Sequence, residues 1–181
     1  MARINPLKRE DMDDEQAEAF DEVEARGGRL GGPNGIYIRV PELFRLNQEI
    51  GDYLRANHLN PRLRQLAAIV AVRRWNGAYA WGAQTRDALK AGIPTDIIDA
   101  VNARETLDLD DADDRVVYDA AVELANTGAL SDALFEAAKA QLGFNTLLDL
   151  IATVGFYAAV SMTVSVFEVE PRAEFPSILA P

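Results

Sequence analysis

The sequence contains no cysteine. That excludes disulfides, thiolate metal sites and any thiol peroxidase cycle run by this chain alone. It contains one histidine, His58, so a histidine-rich metal centre cannot form within a single chain, and no metal or cofactor is expected. Positive charge is also in short supply. Eighteen Lys and Arg face 29 Asp and Glu, a formal net charge of −11 at pH 7 that would repel a phosphate backbone and argues against a nucleic-acid partner. No apolar run reaches the roughly 20 uninterrupted residues of a membrane span. The stretch 147–167 comes closest, but Asp149, several Thr and Ser residues and Gly155 break it, so it reads as a buried helix and no membrane association is expected. The opening residues Met1 to Pro6 have no apolar core of the kind a secretory signal needs, and the expected location is cytoplasmic.

What is present fits one globular domain. The 181 residues are 49% hydrophobic and 26% charged, enough to bury a core. The expected organisation is a single domain over 1–181, with its core at about 40–170, an N-terminal helix and loop over 1–39, and an extended C-terminal arm over 171–181 that carries three prolines. Helical spacing recurs along the chain. An acidic helix is expected over about 11–26, with Ala17, Phe20 and Val23 as a thin apolar stripe. A glycine-rich loop follows over 31–35. Pro41 suits a first helical position, and Leu43, Leu46, Ile50 and Leu54 follow at helical spacing. Asn60-Pro61 is a cap and first-turn proline for a helix to Trp75. Further helices are expected over about 78–91, from Thr95, over 110–126, from a Ser131 cap to Leu142, and from an Asn145 cap to about Phe167. No stretch alternates as a strand would. The fold class is all-α.

The last helix is apolar on more than one face, through Ala152, Val154, Phe156, Tyr157, Val160, Met162 and Val166. Such a helix is buried either centrally or against a partner subunit, and the size of the domain favours the partner.

Arg62-Leu63-Arg64-Gln65, the segment Tyr79-Ala80-Trp81-Gly82-Ala83-Gln84, and the continuation Lys90-Ala91-Gly92-Ile93-Pro94 form a pattern. It resembles the central motif of the carboxymuconolactone decarboxylase-like (AhpD-like) family, in which an Arg-Leu-Arg-Glu helix precedes a Tyr-x-Trp-x-x-His segment. Flanking residues, among them Pro33-Asn34, Pro41-Glu42-Leu43, Val117-Tyr118-Asp119 and Gly155-Phe156-Tyr157, extend the likeness over most of the chain. The resemblance implies an AhpD-like helical domain and a homo-oligomer, a trimer or hexamer. It also implies a cofactor-free lyase, decarboxylase or isomerase step on a small organic acid, lactone or carbonyl compound.

The departures fall on the chemistry. Gln65 stands where the family often has glutamate, Gln84 where it often has histidine, and the Cys-x-x-Cys pair of peroxidase members is missing. Glutamine keeps the reach of glutamate but has no titratable proton, so it cannot be a general acid or base near neutrality. Two readings stay open. In one, Gln65 and Gln84 orient a substrate carbonyl or carboxylate beside an aromatic wall of Tyr79 and Trp81. In the other, the old site has closed and the amides satisfy each other in a non-catalytic member that binds a ligand or only assembles.

Other candidates each carry a structural alternative. Tyr37 could donate a phenol from a lid, or be an ordinary loop tyrosine. Arg64 and Arg74 could grip a substrate carboxylate, or pair with some of the many acidic side chains. His58 could be a base, or a solvated histidine before the Asn60-Pro61 helix start. The glycine pairs at 27–28 and 31–32 follow no strand and lead to no Lys-Ser or Lys-Thr, so they imply no phosphate loop. The acidic run at Asp108, Asp110, Asp111, Asp113 and Asp114 lacks the frame of a calcium loop and reads as a solvated helix start.

Overall fold

A computed structural model describes residues 2–28 and 30–181. Among the described residues there are nine α-helices and no strand: α1 (Asp14–Glu24), α2 (Asn34–Tyr37), α3 (Pro41–Ala56), α4 (Pro61–Arg74), α5 (Ala78–Lys90), α6 (Thr95–Ala103), α7 (Ala112–Thr127), α8 (Asp132–Leu142) and α9 (Phe144–Val166). The all-α expectation holds.

The centre of the molecule is α4. Asn60 accepts the Arg62 N–H at 2.9 Å and Pro61 occupies the first turn, as the Asn60-Pro61 signal predicts. From Leu63 onward nearly every residue of α4 is buried: Leu66, Ala67, Ala68, Ile69, Ala71 and Val72 are almost wholly removed from water. Each fully buried Leu, Ile or Val is worth about 1.5–3 kcal/mol. The small residues among them let α5, α7 and α9 approach on three sides, with α6 closing a fourth. The helix enclosed all round is therefore α4 and not α9. On α9 the inward residues Leu147, Leu150, Val154, Val160 and Val164 are buried, while Phe144, Leu148, Met162 and Val166 stand exposed. By length and composition alone, with a mean hydropathy of 1.7, α9 could cross a membrane, but its inner face belongs to the protein core.

A second, smaller core joins α1 to α3 through Ala19, Phe20, Val23, Ile38 and Phe44. The first helix begins at Asp14 rather than near 11, because Asp13 and Gln16 form a reciprocal capping box. The glycine-rich loop contains one unforeseen helical turn, α2, too short to leave any periodicity in the sequence. On α3, Leu54 is buried, but Leu43, Leu46 and Ile50 are each about half exposed, so much of the periodic stripe faces outward. Asp111 does cap α7, accepting the N–H groups of Asp113 and Asp114, so the acidic run is a helix start. At α8, Ser131 occupies the cap position without a capping bond; its hydroxyl donates to Glu123 instead. The last helix starts at Phe144, one residue before the expected Asn145 cap.

The C-terminal arm is strapped down. Trp81 Nε1 donates to Ser177 Oγ at 3.1 Å, Asn102 Nδ2 donates to the Ile178 carbonyl at 2.9 Å, and the Ala180 N–H returns a bond to Asn102 Oδ1. Phe175 lies edge-on to Tyr79, with ring centroids 5.2 Å apart, and covers α5 at Gly82, where a Cβ would overlap its ring. Replacing Gly82 with Leu in a free-standing helix would be favourable by about 1 kcal/mol. Here Gly82→Leu is expected to destabilise by about 1–3 kcal/mol through overpacking and to expose the arm to proteolysis. A variant more stable than wild type in thermal unfolding would show that the arm does not pack there.

Candidate functional site

The structure brings Gln65 and Gln84 together. They project from α4 and α5, and Gln65 Nε2 donates to Gln84 Oε1 at 3.4 Å, at the long end of hydrogen bonding. Gln65 is buried and Gln84 partly so. Neither side chain lines any of the three main cavities. Trp81 is fully buried, its indole N–H spent on Ser177 of the arm. Tyr79 is buried under the glycine loop. Gly32, at φ +59°, lies so close over the Tyr79 ring that a Cβ would overlap it, so this glycine serves close packing and a left-handed backbone together. Tyr79 does border a cavity of about 540 Å³ between that loop, α3, α5 and the arm.

Tyr37 sits at the end of α2, half-buried. Its hydroxyl donates to Thr163 Oγ1 on α9 at 2.9 Å, and Thr163 passes its own proton to the Ala159 carbonyl at 3.0 Å. Burial raises the phenol above its ordinary value, only partly offset by the Thr163 bond, so near neutrality Tyr37 keeps its proton. It ties α2 to α9 and lines none of the three main cavities.

The two arginines separate. Arg64 Nη1 donates to the carbonyls of Leu54 and Arg55, satisfying the end of α3. Arg74 donates to Asn126 Oδ1 at 2.7 Å and stacks on Trp75, 5.4 Å from the ring centroid. Neither forms the ion pair that their acidic surroundings suggested. Arg62, by contrast, is paired with the buried carboxylate of Asp114.

His58 is in the turn between α3 and α4, and its surroundings were not visible in the sequence. Its side chain is exposed, yet Nδ1 lies 2.9 Å from Oδ2 of Asp149, a buried residue of α9. The His58 backbone N–H donates to the same oxygen at 3.0 Å, and the Tyr53 hydroxyl donates to Oδ1 at 2.5 Å. A carboxylate only accepts, so Nδ1 carries the proton of this contact. Burial pushes the Asp149 carboxyl up, but the bonds from Tyr53 and His58 outweigh it and hold it below its ordinary value. Asp149 appears in the sequence only as an interruption of an apolar run. It is the anchor between the α3–α4 turn and α9.

Comparisons with known proteins bear on the family and the fold. Residues 41–123, from the start of α3 into α7, match the model of the Carboxymuconolactone decarboxylase family. The whole chain is similar in fold to a peroxidase-related protein from Ralstonia eutropha JMP134, described as an alkylhydroperoxidase AhpD core. The TM-score is 0.74 at 20% identity, covering 96% of this chain and 94% of that one. A peroxidase-related protein from Silicibacter sp. TM1040 gives a TM-score of 0.71 at 19% identity, covering 98% of this chain and 93% of that one. No curated protein matches the sequence. The family resemblance read from the motif is thus borne out over 41–123, and the AhpD-like fold over nearly all of the chain.

Because the folded-state pKa of Asp149 is depressed, its contribution to stability is present above the unfolded value of about 4 and is lost as pH falls through the lower folded value. Asp149→Asn is expected to lower stability by about 1–3 kcal/mol at pH 7, with the gap from wild type closing as pH falls below about 4. Urea unfolding at the two pH values reads this directly. An unchanged gap in acid would mean that the carboxylate charge is not what anchors the turn.

Proposed function

We infer that this chain, matched to the carboxymuconolactone decarboxylase family over residues 41–123, is a member that binds and assembles rather than one that transfers protons at positions 65 and 84. The observation that carries this reading is the amide pair. Gln65 and Gln84 are bonded to each other, one of them buried, and neither borders a main cavity. Neutral amides supply no acid or base at any ordinary pH. The absence of cysteine removes thiol peroxide reduction as well.

Assembly is supported by apolar surface. Leu43, Leu46, Ile50 and Tyr53 form an outward stripe on α3, and Phe144, Leu148, Met162 and Val166 another on α9. Side chains of this size, exposed at helical spacing, are covered in a homo-oligomer, a trimer or hexamer of cytoplasmic, cofactor-free subunits.

One observation favours a second reading, a cofactor-free lyase acting on a small organic acid, lactone or carbonyl compound. The His58–Asp149 contact orients the imidazole through Nδ1 on a buried carboxylate, so that in the neutral ring the lone pair is on Nε2. In that reading His58 is the proton carrier and Gln84 at most a hydrogen-bonding group.

Carbon dioxide release from a panel of lactone carboxylic acids separates the two. Wild type and His58→Ala are both expected to stay at the buffer rate. Turnover by wild type that His58→Ala abolishes would establish the lyase. Separately, analytical ultracentrifugation is expected to find an oligomer that Leu46→Glu combined with Leu148→Glu reduces to monomer. A wild type that sediments as a monomer at all concentrations would end the assembly reading.

A further inference from the structure

The end of α4 contains a buried cation that no Asp or Glu side chain meets. Arg73 is 4% exposed, yet its guanidinium bonds to no Asp or Glu side chain. Nε donates to the Asn102 carbonyl at 2.6 Å and Nη1 to Asn76 Oδ1 at 2.6 Å, while Nη2 reaches the main-chain oxygen of Pro181 at 3.4 Å. The same Asn76 oxygen accepts a bond from Arg104 at 3.0 Å, so two cations share one neutral acceptor. Arg104 closes α6 with a left-handed backbone, φ +60°, which turns the chain back towards α4 at that point. Burial, and then the neighbouring Arg104 charge, pull Arg73 below the ordinary arginine value. An isolated buried charge is costly, and such groups are usually paired.

Beside these groups lies a cavity of about 260 Å³ between α4, α6 and α7. Arg73, Arg74 and Arg104 line it, with Val70, Val101 and Val122 among its apolar residues. One carboxylate, Glu105, borders the same cavity and is paired with none of the three arginines. The donors are not exhausted. Arg74 uses only Nε, on Asn126, so both of its terminal nitrogens are free for a planar two-oxygen acceptor.

The larger cavity beside Tyr79 makes a useful contrast. It too is ringed by arginines, Arg26, Arg55, Arg86 and Arg172. There, however, Arg55 is paired with Asp52, Arg86 with Asp87 at 2.9 Å, and Arg172 with Glu174 at 3.7 Å. Three of its four arginines pair with Asp or Glu side chains, whereas none of the three around the smaller cavity does.

We propose that the cavity between α4, α6 and α7 is a binding site for a small organic monocarboxylate, held by Arg74 and Arg104 over the buried Arg73, with its compact apolar body against Val70, Val101 and Val122. The volume is below that of drug-sized pockets and suits an acid of about ten non-hydrogen atoms. The site is separate from the glutamine pair, so its occupancy does not depend on whether that pair takes part in chemistry.

Benzoate is the probe. Titrated into the full chain and followed by calorimetry and by amide shifts in NMR, it is expected to bind, shifting residues at the end of α6 and in the second half of α7. Arg74→Gln and Arg104→Gln, both at exposed positions, are each expected to weaken it at least about tenfold. Val122→Phe, which fills the cavity without touching a charge, is expected to abolish binding, while Arg86→Gln in the other cavity leaves it unchanged. Circular dichroism checks that each variant is folded. Benzamide, the neutral isostere, is expected not to bind, and phosphate to bind more weakly than benzoate. The proposal is overturned if benzoate fails to bind the folded wild type, if benzamide binds equally well, if phosphate binds as tightly, or if the arginine and Val122 variants keep wild-type affinity. None of those outcomes bears on turnover at the glutamine pair or at His58, which the carbon dioxide assay reads separately.

Discussion

Enclosing one helix on all sides is the constraint from which the rest of the structure follows. Once α4 is surrounded by α5, α6, α7 and α9, every polar group it carries must find a partner inside the protein or in an enclosed site. Its small residues allow that approach, and its two buried polar side chains bear the consequence. Gln65 is satisfied sideways by an amide on α5. Arg73, at the far end, is satisfied by amide and main-chain oxygens and by the last residue of the arm. The glutamine pair and the arginine cavity are thus two outcomes of the same burial, one neutral and closed, the other charged and open.

Charge is distributed with the same economy. A chain at −11 has acids available almost everywhere, and half of the described arginines take one: Arg3, Arg9, Arg45, Arg55, Arg62, Arg86 and Arg172 are all paired with side-chain carboxylates. Arg73, Arg74 and Arg104 pair with no Asp or Glu side chain, as is also true of Arg39, Arg64 and Arg115, but the first three line one cavity together. The buried carboxylate of Asp149 is the mirror case. It is satisfied by a tyrosine, a backbone N–H and a histidine ring, without a permanently charged partner.

Local features were legible in the sequence, and distant pairings were not. The Asn60-Pro61 start of α4, the Pro41 start of α3 and the glycine that ends α7 could be read directly, because caps and breakers act within one helical turn. The short α2 could not, since one turn shows no period. The outward orientation of Leu43, Leu46 and Ile50 was equally hidden, because spacing identifies a face but not what lies opposite it. Of the candidate side chains, Gln65 and Gln84 could be paired from the motif, whereas His58 and Asp149 lie 91 positions apart with nothing local to link them. Arg73 went unnoticed for a related reason. A helix buried on every side has no polar face, so nothing in its pattern separates a buried arginine from an exposed one such as Arg74.

The strapped arm also sets an order of events during synthesis. Phe175 and Ser177 cover Tyr79, Gly82 and Trp81, and residues 178–181 finish the surroundings of Asn102 and Arg73. These residues leave the ribosome only after α9. Until they emerge, α5 presents an unprotected aromatic surface and the guanidinium of Arg73 lacks one of its contacts. The nascent chain therefore leaves this face of α5 uncovered by the arm for the whole time that α7, α8 and α9 are being made.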